Sequence, residues 1–274
     1  NNGRVELVVA GTQRLTGLAL KDGKELWQLA GLTSFVCTTP TADAETLYFA
    51  AWSTPDAAPA ERADDSWGEL EISAEELSNS RLLFDRLDAN ADAKLELAEF
   101  PDSRARDAFT FLDGNGDGVV TPEELAPIVE MPKGPGNNLM VAVAAGGTGD
   151  VAKTHLRWSF RNGLPYVSSP LLYQGRLYLV RAGGLVTCLD PKTGTPFFDR
   201  ERLEDHSEYY ASPVGAGGHV IVCSSGGTIH VLRASDEFQL VRSVDLGESI
   251  HATPAIVERT IYLRSEQSLW AFGK

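Results

Sequence analysis

The sequence predicts an all-β protein, a partial β-propeller of four-stranded blades carrying a small all-α insertion, and three observations predict it. Thr38-Thr39-Pro40, Ser168-Ser169-Pro170, Ala211-Ser212-Pro213 and Ala252-Thr253-Pro254 repeat one short motif, and the last three prolines stand 43 and 41 residues apart, the period of a four-stranded blade. Alternating apolar runs of strand length, such as Leu177-Tyr178-Leu179-Val180, Val220-Ile221-Val222 and Ile261-Tyr262-Leu263, follow each of those three motifs. Pro40 and Pro170 are 130 residues apart, one period plus roughly 88 residues, and the excess is acidic with helical signals.

In chain order, residues 5–9, 15–20 and 25–29 read as the second, third and fourth strands of a first blade. The second blade begins at Phe35, passes through 47–52, leaves the sheet and resumes at 139–143. The expected division is therefore 1–52 for the first propeller part, 53–138 for the insertion, helical over about 73–130, and 139–274 for the second part. Pro- and Gly-rich borders at 53–59 and 132–138 mark linkers at a hairpin, where extra chain disturbs a sheet least. Later blades run regularly, with a third strand at 184–190, a turn at Pro191-Lys192-Thr193-Gly194 and then a fourth strand. The first unit shows no strand bearing the Pro motif, and the last, 250–272, shows no fourth strand. Propellers close by letting strands from the two chain ends share a blade, so the missing strand is expected upstream of Asn1. The expectation for this chain is an open arc of three full and two partial blades, about 18 strands.

Within the insertion, Asp113-Gly114-Asn115-Gly116-Asp117-Gly118-Val119-Val120-Thr121-Pro122-Glu123-Glu124 has the donor spacing of an EF-hand loop. A hard cation takes six to eight oxygens, and Asp113, Asn115, Asp117, the Val119 carbonyl, Thr121 and a bidentate Glu124 supply them at positions 1, 3, 5, 7, 9 and 12. Position 6 turns sharply with φ > 0 and is Gly118. Position 8 is the apolar Val120, which in paired loops can bridge to its counterpart. A second loop lies 25 residues upstream: Asp88, Asn90, Asp92, the Lys94 carbonyl, Glu96 and Glu99. Phe84 and Leu87 precede it as Phe109 and Leu112 precede the other, an i, i+3 apolar pair on an incoming helix. Its position 6 is Ala93, where a left-handed backbone costs about 1–2 kcal/mol, so the second loop is expected to bind calcium more tightly. Ser73-Ala74-Glu75-Glu76 is a capping box opening a helix expected to run to Leu87, and Thr121-Pro122-Glu123-Glu124 opens another. Pro101 leaves room for only about one turn after the first loop.

The formal charge of −14 lies in one place: residues 56–130 hold 20 Asp and Glu against 6 Lys and Arg, and the rest of the chain balances. An acidic segment around cation loops suits calcium and excludes nucleic acid, which needs a basic face. No apolar run is long enough to span a membrane as a helix. Cys37, Cys188 and Cys223 sit in apolar runs and read as buried thiols. The five histidines have no paired ligand spacing and read as surface or loop residues. Gly146-Gly147-Thr148-Gly149-Asp150 lacks the Lys and helix of a phosphate loop and reads as a hairpin turn.

Leu18-Ala19-Leu20-Lys21-Asp22-Gly23-Lys24-Glu25-Leu26-Trp27, Cys188-Leu189-Asp190-Pro191-Lys192-Thr193-Gly194, Leu156-Arg157-Trp158-Ser159-Phe160 and Leu269-Trp270-Ala271-Phe272 resemble the pyrroloquinoline-quinone-like propeller repeat. That repeat is found in quinoprotein dehydrogenases and in the BamB lipoprotein of outer-membrane assembly. The resemblance covers about two thirds of the chain and implies the fold, with a periplasmic or extracytoplasmic setting. It does not extend to the adjacent cysteine pair that many of the dehydrogenases carry. Trp27 and Trp158 occupy equivalent fourth-strand places and are expected to pack between blades.

The expected function is non-catalytic: calcium binding by the loop pair, on the order of 10⁻⁴ to 10⁻³ M as suits extracellular modules, and protein interaction through a propeller face. The alternative is a part of a quinoprotein-type oxidoreductase whose active site lies in blades outside this chain. A calcium-switched sensor would need a Met-rich groove, and the chain has 2 Met.

Overall fold

The computed structural model describes residues 5–57, 70, 72–101, 106, 109–130, 134 and 136–273. Two compact units form, one from 1–53 with 136–274 and the other from 54–135. Parts of both expected linkers, 58–59, 132–133 and 135, and of the segment between the loops lie outside the described residues.

Among the described residues the first unit is built of five sheets, antiparallel except for one parallel pair at the edge of the first. Its strands are β1 (Glu6–Gly11), β2 (Arg14–Ala19), β3 (Glu25–Ala30), β4 (Thr41–Ala42), β5 (Thr46–Ala51), β6 (Leu139–Ala144), β7 (Gly149–Asp150) and β8 (Leu156–Phe160). There follow β9 (Leu171–Tyr173), β10 (Arg176–Arg181), β11 (Leu185–Leu189), β12 (Pro196–Arg202), β13 (Val214–Ala216), β14 (His219–Cys223), β15 (Thr228–Arg233) and β16 (Leu240–Asp245). The last three are β17 (Ala255–Val257), β18 (Thr260–Arg264) and β19 (Leu269–Phe272). Three blades run β4-β5-β6-β8, β9-β10-β11-β12 and β13-β14-β15-β16, and the last sheet has three strands, β17-β18-β19. Each motif proline precedes the short first strand of its sheet. Among the described residues β1 pairs with β2 and β19 with β18, and no pairing joins β1 to β19, so the partial propeller is open there.

The first sheet corrects one expectation. Its order is β1-β2-β3-β7, and β7 lies parallel to β3 with Trp27 opposite Gly149. Gly146–Asp150 is thus more than a turn: the long connection from β6 to β8 crosses to the neighbouring sheet and adds a strand to its edge. Neighbouring sheets bury apolar faces on one another. Leu15, Leu29, Phe49, Val141 and Val143 fill the space between the first two sheets, and Tyr178, Val186, Val220 and Leu232 do so farther on.

The repeated motif explains itself through hydrogen bonds. The Thr39 N–H donates to Ser169 Oγ at 2.9 Å, the Ser169 N–H to Ser212 Oγ at 2.9 Å, and the Ser212 N–H to Thr253 Oγ1 at 3.0 Å. Each hydroxyl before a proline satisfies a backbone donor of the preceding blade, which the short first strands leave without a ladder partner. One residue earlier, Thr38 and Ser168 donate to the Ala50 and Val180 carbonyls of their own blades at 2.6 and 2.7 Å.

β5 pairs with β6 from Thr46 opposite Ala144 to Ala51 opposite Leu139, so the 54–135 unit springs from one hairpin end. A buried polar knot closes that end. Asn138 Oδ1 accepts the Ser53 N–H at 2.9 Å, Asn138 Nδ2 donates to the Ser53 carbonyl at 2.9 Å, and the Thr33 hydroxyl meets both side chains at 2.9 and 3.1 Å.

Two further expectations are corrected. Cys188 and Cys223 are buried but Cys37 is exposed, because it lies in the loop ahead of β4 and not in a strand. His230 is only 1 % exposed: β15 turns it inward to Tyr209 and Ser243, whose hydroxyls lie 3.2 and 2.9 Å from its ring nitrogens. Burial holds its pKa below the usual imidazole value.

Candidate metal centre

Among the described residues the second unit carries four α-helices: α1 (Ala74–Ser78), α2 (Ser80–Leu87), α3 (Phe109–Leu112) and α4 (Pro122–Val129). Ser73 caps α1 as expected, its hydroxyl accepting the Glu76 N–H while Glu76 Oε2 accepts the Ser73 N–H at 2.7 Å. The single helix expected from Ser73 to Leu87 breaks at Asn79, whose φ of −146° and ψ of 88° are not helical. Three bonds hold the break. Glu130 Oε1, at the end of α4, accepts the Ser80 N–H and hydroxyl at 2.6 and 2.7 Å, and Arg86 on α2 reaches Glu76 on α1 at 2.6 Å. Burial pushes the Glu76 carboxyl up, but Arg86 and Ser73 outweigh it and hold it below the usual range. The core beneath gathers Leu77, Leu83, Phe84, Leu87, Leu95, Phe100, Leu112, Val120, Leu125 and Val129, an apolar stripe from every helix.

Both loops fold alike. Asp113 Oδ1 accepts the N–H groups of Gly116 and Asp117 at 2.8 and 3.1 Å, and its Oδ2 that of Gly118 at 2.9 Å. Asn115 Oδ1 accepts from Asp117 at 2.8 Å and Asp117 Oδ1 from Val119 at 3.1 Å. Glu124 reaches back across the loop to the N–H of Asn115 at 3.3 Å and of Thr121 at 2.9 Å, and takes the Thr121 hydroxyl at 3.0 Å. In the first loop, Asp88 takes the N–H groups of Asp92 and Ala93 at 3.2 and 3.0 Å, Asn90 that of Asp92 at 2.9 Å, and Asp92 that of Lys94 at 3.0 Å. Glu99 reaches back to Ala89 and Asn90 at 3.0 and 3.4 Å and to Glu96 at 2.9 Å. Positions 1, 3, 5 and 12 accept from the same backbone donors in both loops, apart from an added Gly116 N–H in the second and an added Ala89 N–H in the first.

The loops meet at position 8. The Leu95 N–H donates to the Val120 carbonyl at 2.9 Å and the Val120 N–H to the Leu95 carbonyl at 2.8 Å, a two-residue bridge with both side chains fully buried. The backbone shows one feature that spacing alone did not reveal. Position 4 is left-handed as well as position 6: φ is 58° at Ala91 and 63° at Ala93, against 75° at Gly116 and 87° at Gly118. The signal was present in the glycines at both positions of the second loop.

All these donors are hard oxygens, the chemistry a hard cation requires. Glu124 and Glu99, twelfth in their loops, are already folded back over the loop starts. Among the described residues no three His, Cys, Asp or Glu side chains form a group that could hold a metal ion by themselves. Uncompensated carboxylates repel, and here each turns to the backbone N–H groups of its own loop instead of converging. Amide, hydroxyl and main-chain oxygens are the remaining donors that the loop spacing predicts.

A family model described as EF hand matches residues 105–126, which contain the whole second loop. None of the curated proteins matches the chain. Solved structures similar to it include BamB from Moraxella catarrhalis, 18% identical with a TM-score of 0.40, covering 49% of this chain and 40% of that one. A computationally designed protein, Ika8, is 16% identical with a TM-score of 0.37 over 50% of this chain and 43% of its own. A quinohemoprotein alcohol dehydrogenase from Pseudomonas putida HK5 is 16% identical with a TM-score of 0.33, over 39% of this chain and 18% of its own. The chain thus spans less than half the length of each of these three.

Proposed function

We propose that this chain is a calcium-binding, non-catalytic β-propeller scaffold of the bacterial cell envelope, with a propeller face serving protein interaction. Asp113, Asn115, Asp117, the Val119 carbonyl, Thr121 and Glu124 hold the tighter ion, and Asp88, Asn90, Asp92, the Lys94 carbonyl, Glu96 and Glu99 a weaker one. The observation that carries this reading is the shared pattern of hydrogen bonds from positions 1, 3, 5 and 12 in two loops joined at Leu95 and Val120. Calcium acts as a structural clip: its charge relieves the repulsion among the loop carboxylates, and binding free energy becomes folding free energy of the 54–135 unit.

The test is circular dichroism with and without EDTA, alongside titration calorimetry with calcium. Chelation is expected to remove helical signal and spare the β component, and calcium to restore it at submillimolar to millimolar concentration. Unchanged spectra with no heat of calcium binding would overturn the proposal.

A further inference from the structure

In two of the blade junctions an aromatic residue on the fourth strand of one blade packs on the turn between the third and fourth strands of the next. Trp158 on β8 lies so close to Gly194 that a Cβ there would come 2.6 Å from its ring, and its Nε1–H donates to the Pro191 carbonyl at 3.0 Å. Phe198 on β12 meets Phe238 with ring centroids 5.6 Å apart. Trp27 holds the same place on β3, opposite Gly17 and beside a bulge, as Trp158 does opposite Ala142. Yet its indole folds back on its own sheet: a Cβ on Gly17 would stand 2.1 Å from Nε1, and the Nε1–H donates to Glu6 Oε2 at 2.7 Å. The turn it would have met is the long connection that sends β7 across to β3. Between the first two sheets this leaves a cavity of about 200 Å³, lined by Trp27, Val8, Leu47 and Val143 and by the acidic residues Glu6 and Asp43.

We propose that this cavity binds a primary alkylammonium group carried on a short hydrocarbon chain. Apolar walls with a few polar groups are the usual make-up of a ligand site, and an ammonium gains from both a carboxylate and an indole face. Burial pushes the Asp43 carboxyl up, but the N–H groups of Glu45 and Thr46, the Tyr48 hydroxyl and Arg157 outweigh it and hold it below the usual range, so it is charged at neutral pH. Arg157 does not line the cavity; it is engaged with the Thr46 hydroxyl at 2.7 Å and Glu45 at 3.8 Å.

The experiment is titration calorimetry on the calcium-saturated chain with n-butylammonium, with Nα-acetyl-lysine amide, and with 1-butanol as the uncharged control. One of the two amines is expected to bind in the millimolar range, about tenfold more tightly than 1-butanol. Tighter binding of the lysine amide assigns the group to a protein side chain, and tighter binding of butylammonium to a free amine. Asp43→Asn and Glu6→Gln are expected to weaken it about tenfold each. Ala42→Leu, at an exposed position on the cavity wall, is expected to abolish it with the melting temperature unchanged and the acidic charge intact. Silence from both amines, equal binding of 1-butanol, or binding that survives Ala42→Leu would overturn the proposal.

Discussion

The two EF-hand-type loops differ where they are least expected to. Positions 1, 3, 5 and 12 carry the same donor types and position 9 differs, Thr121 against Glu96, yet the sharper contrast lies between the ligands: the second loop has Gly at positions 2, 4 and 6 and the first has Ala at all three. At two of those positions the chain is left-handed in both loops. The first loop therefore adopts the same geometry with a Cβ in an unfavourable place twice, at about 1–2 kcal/mol each. Two sites alike at every ligand position but the ninth are expected to be unequal because of the backbone between the ligands. A second difference follows each loop: α4 extends eight residues from Thr121, whereas a single 3-10 turn, Leu97–Glu99, follows Glu96. The second loop is anchored to a helix, and the first to one turn.

The largest expected effect tests which loop dominates. Glu124→Gln removes the charge of a bidentate ligand and is expected to weaken the tighter site about 100-fold, near 3 kcal/mol. Glu99→Gln should leave that site within a few-fold. Calorimetry reads both, and the reverse ranking would break the comparison. Next comes the bridge that makes the loops a pair. Val120→Ala removes two buried methyl groups and is expected to cost the 54–135 unit about 2 kcal/mol, lowering its melting temperature and weakening both sites together. If only the second site weakens, the loops are independent. The smallest effect tests strain itself: Ala93→Gly is expected to tighten the first site about tenfold and Gly118→Ala to weaken the second by a similar factor, each near 1–2 kcal/mol. Unchanged affinity in both would move the cause from backbone to ligand charge.

Much of this architecture was legible in the chain because it is periodic. Pro170, Pro213 and Pro254 at near-equal spacing located the blades, and Asp113 to Glu124 located the second loop, since both depend on residue types at fixed intervals. What escaped was set by contacts between distant segments. Gly149 and Asp150 look like turn residues and become a strand only because β3 offers an open edge beside them. The 73–87 segment carries only the weak helix formers Ser78-Asn79-Ser80 as a hint of interruption, and its break at Asn79 is held by Glu130, 50 residues from Ser80. His230 reads as an ordinary polar residue until Tyr209 closes over it from the loop before β13. The twist of Trp27 away from the next blade depends on the length of a connection that starts more than a hundred residues later.

Asn138 has a consequence beyond closing a hairpin. Its carboxamide presents one acceptor and one donor to the Ser53 N–H and carbonyl, as the peptide group of a further β-ladder residue would. The sheet thus carries its own terminal rung. For β5 and β6, the chain between Ser53 and Asn138 is interchangeable cargo, whether a helical unit of 82 residues or a short turn. A graft point of this kind lets a scaffold gain or lose a module in one genetic event, without recoding the residues that stack the blades.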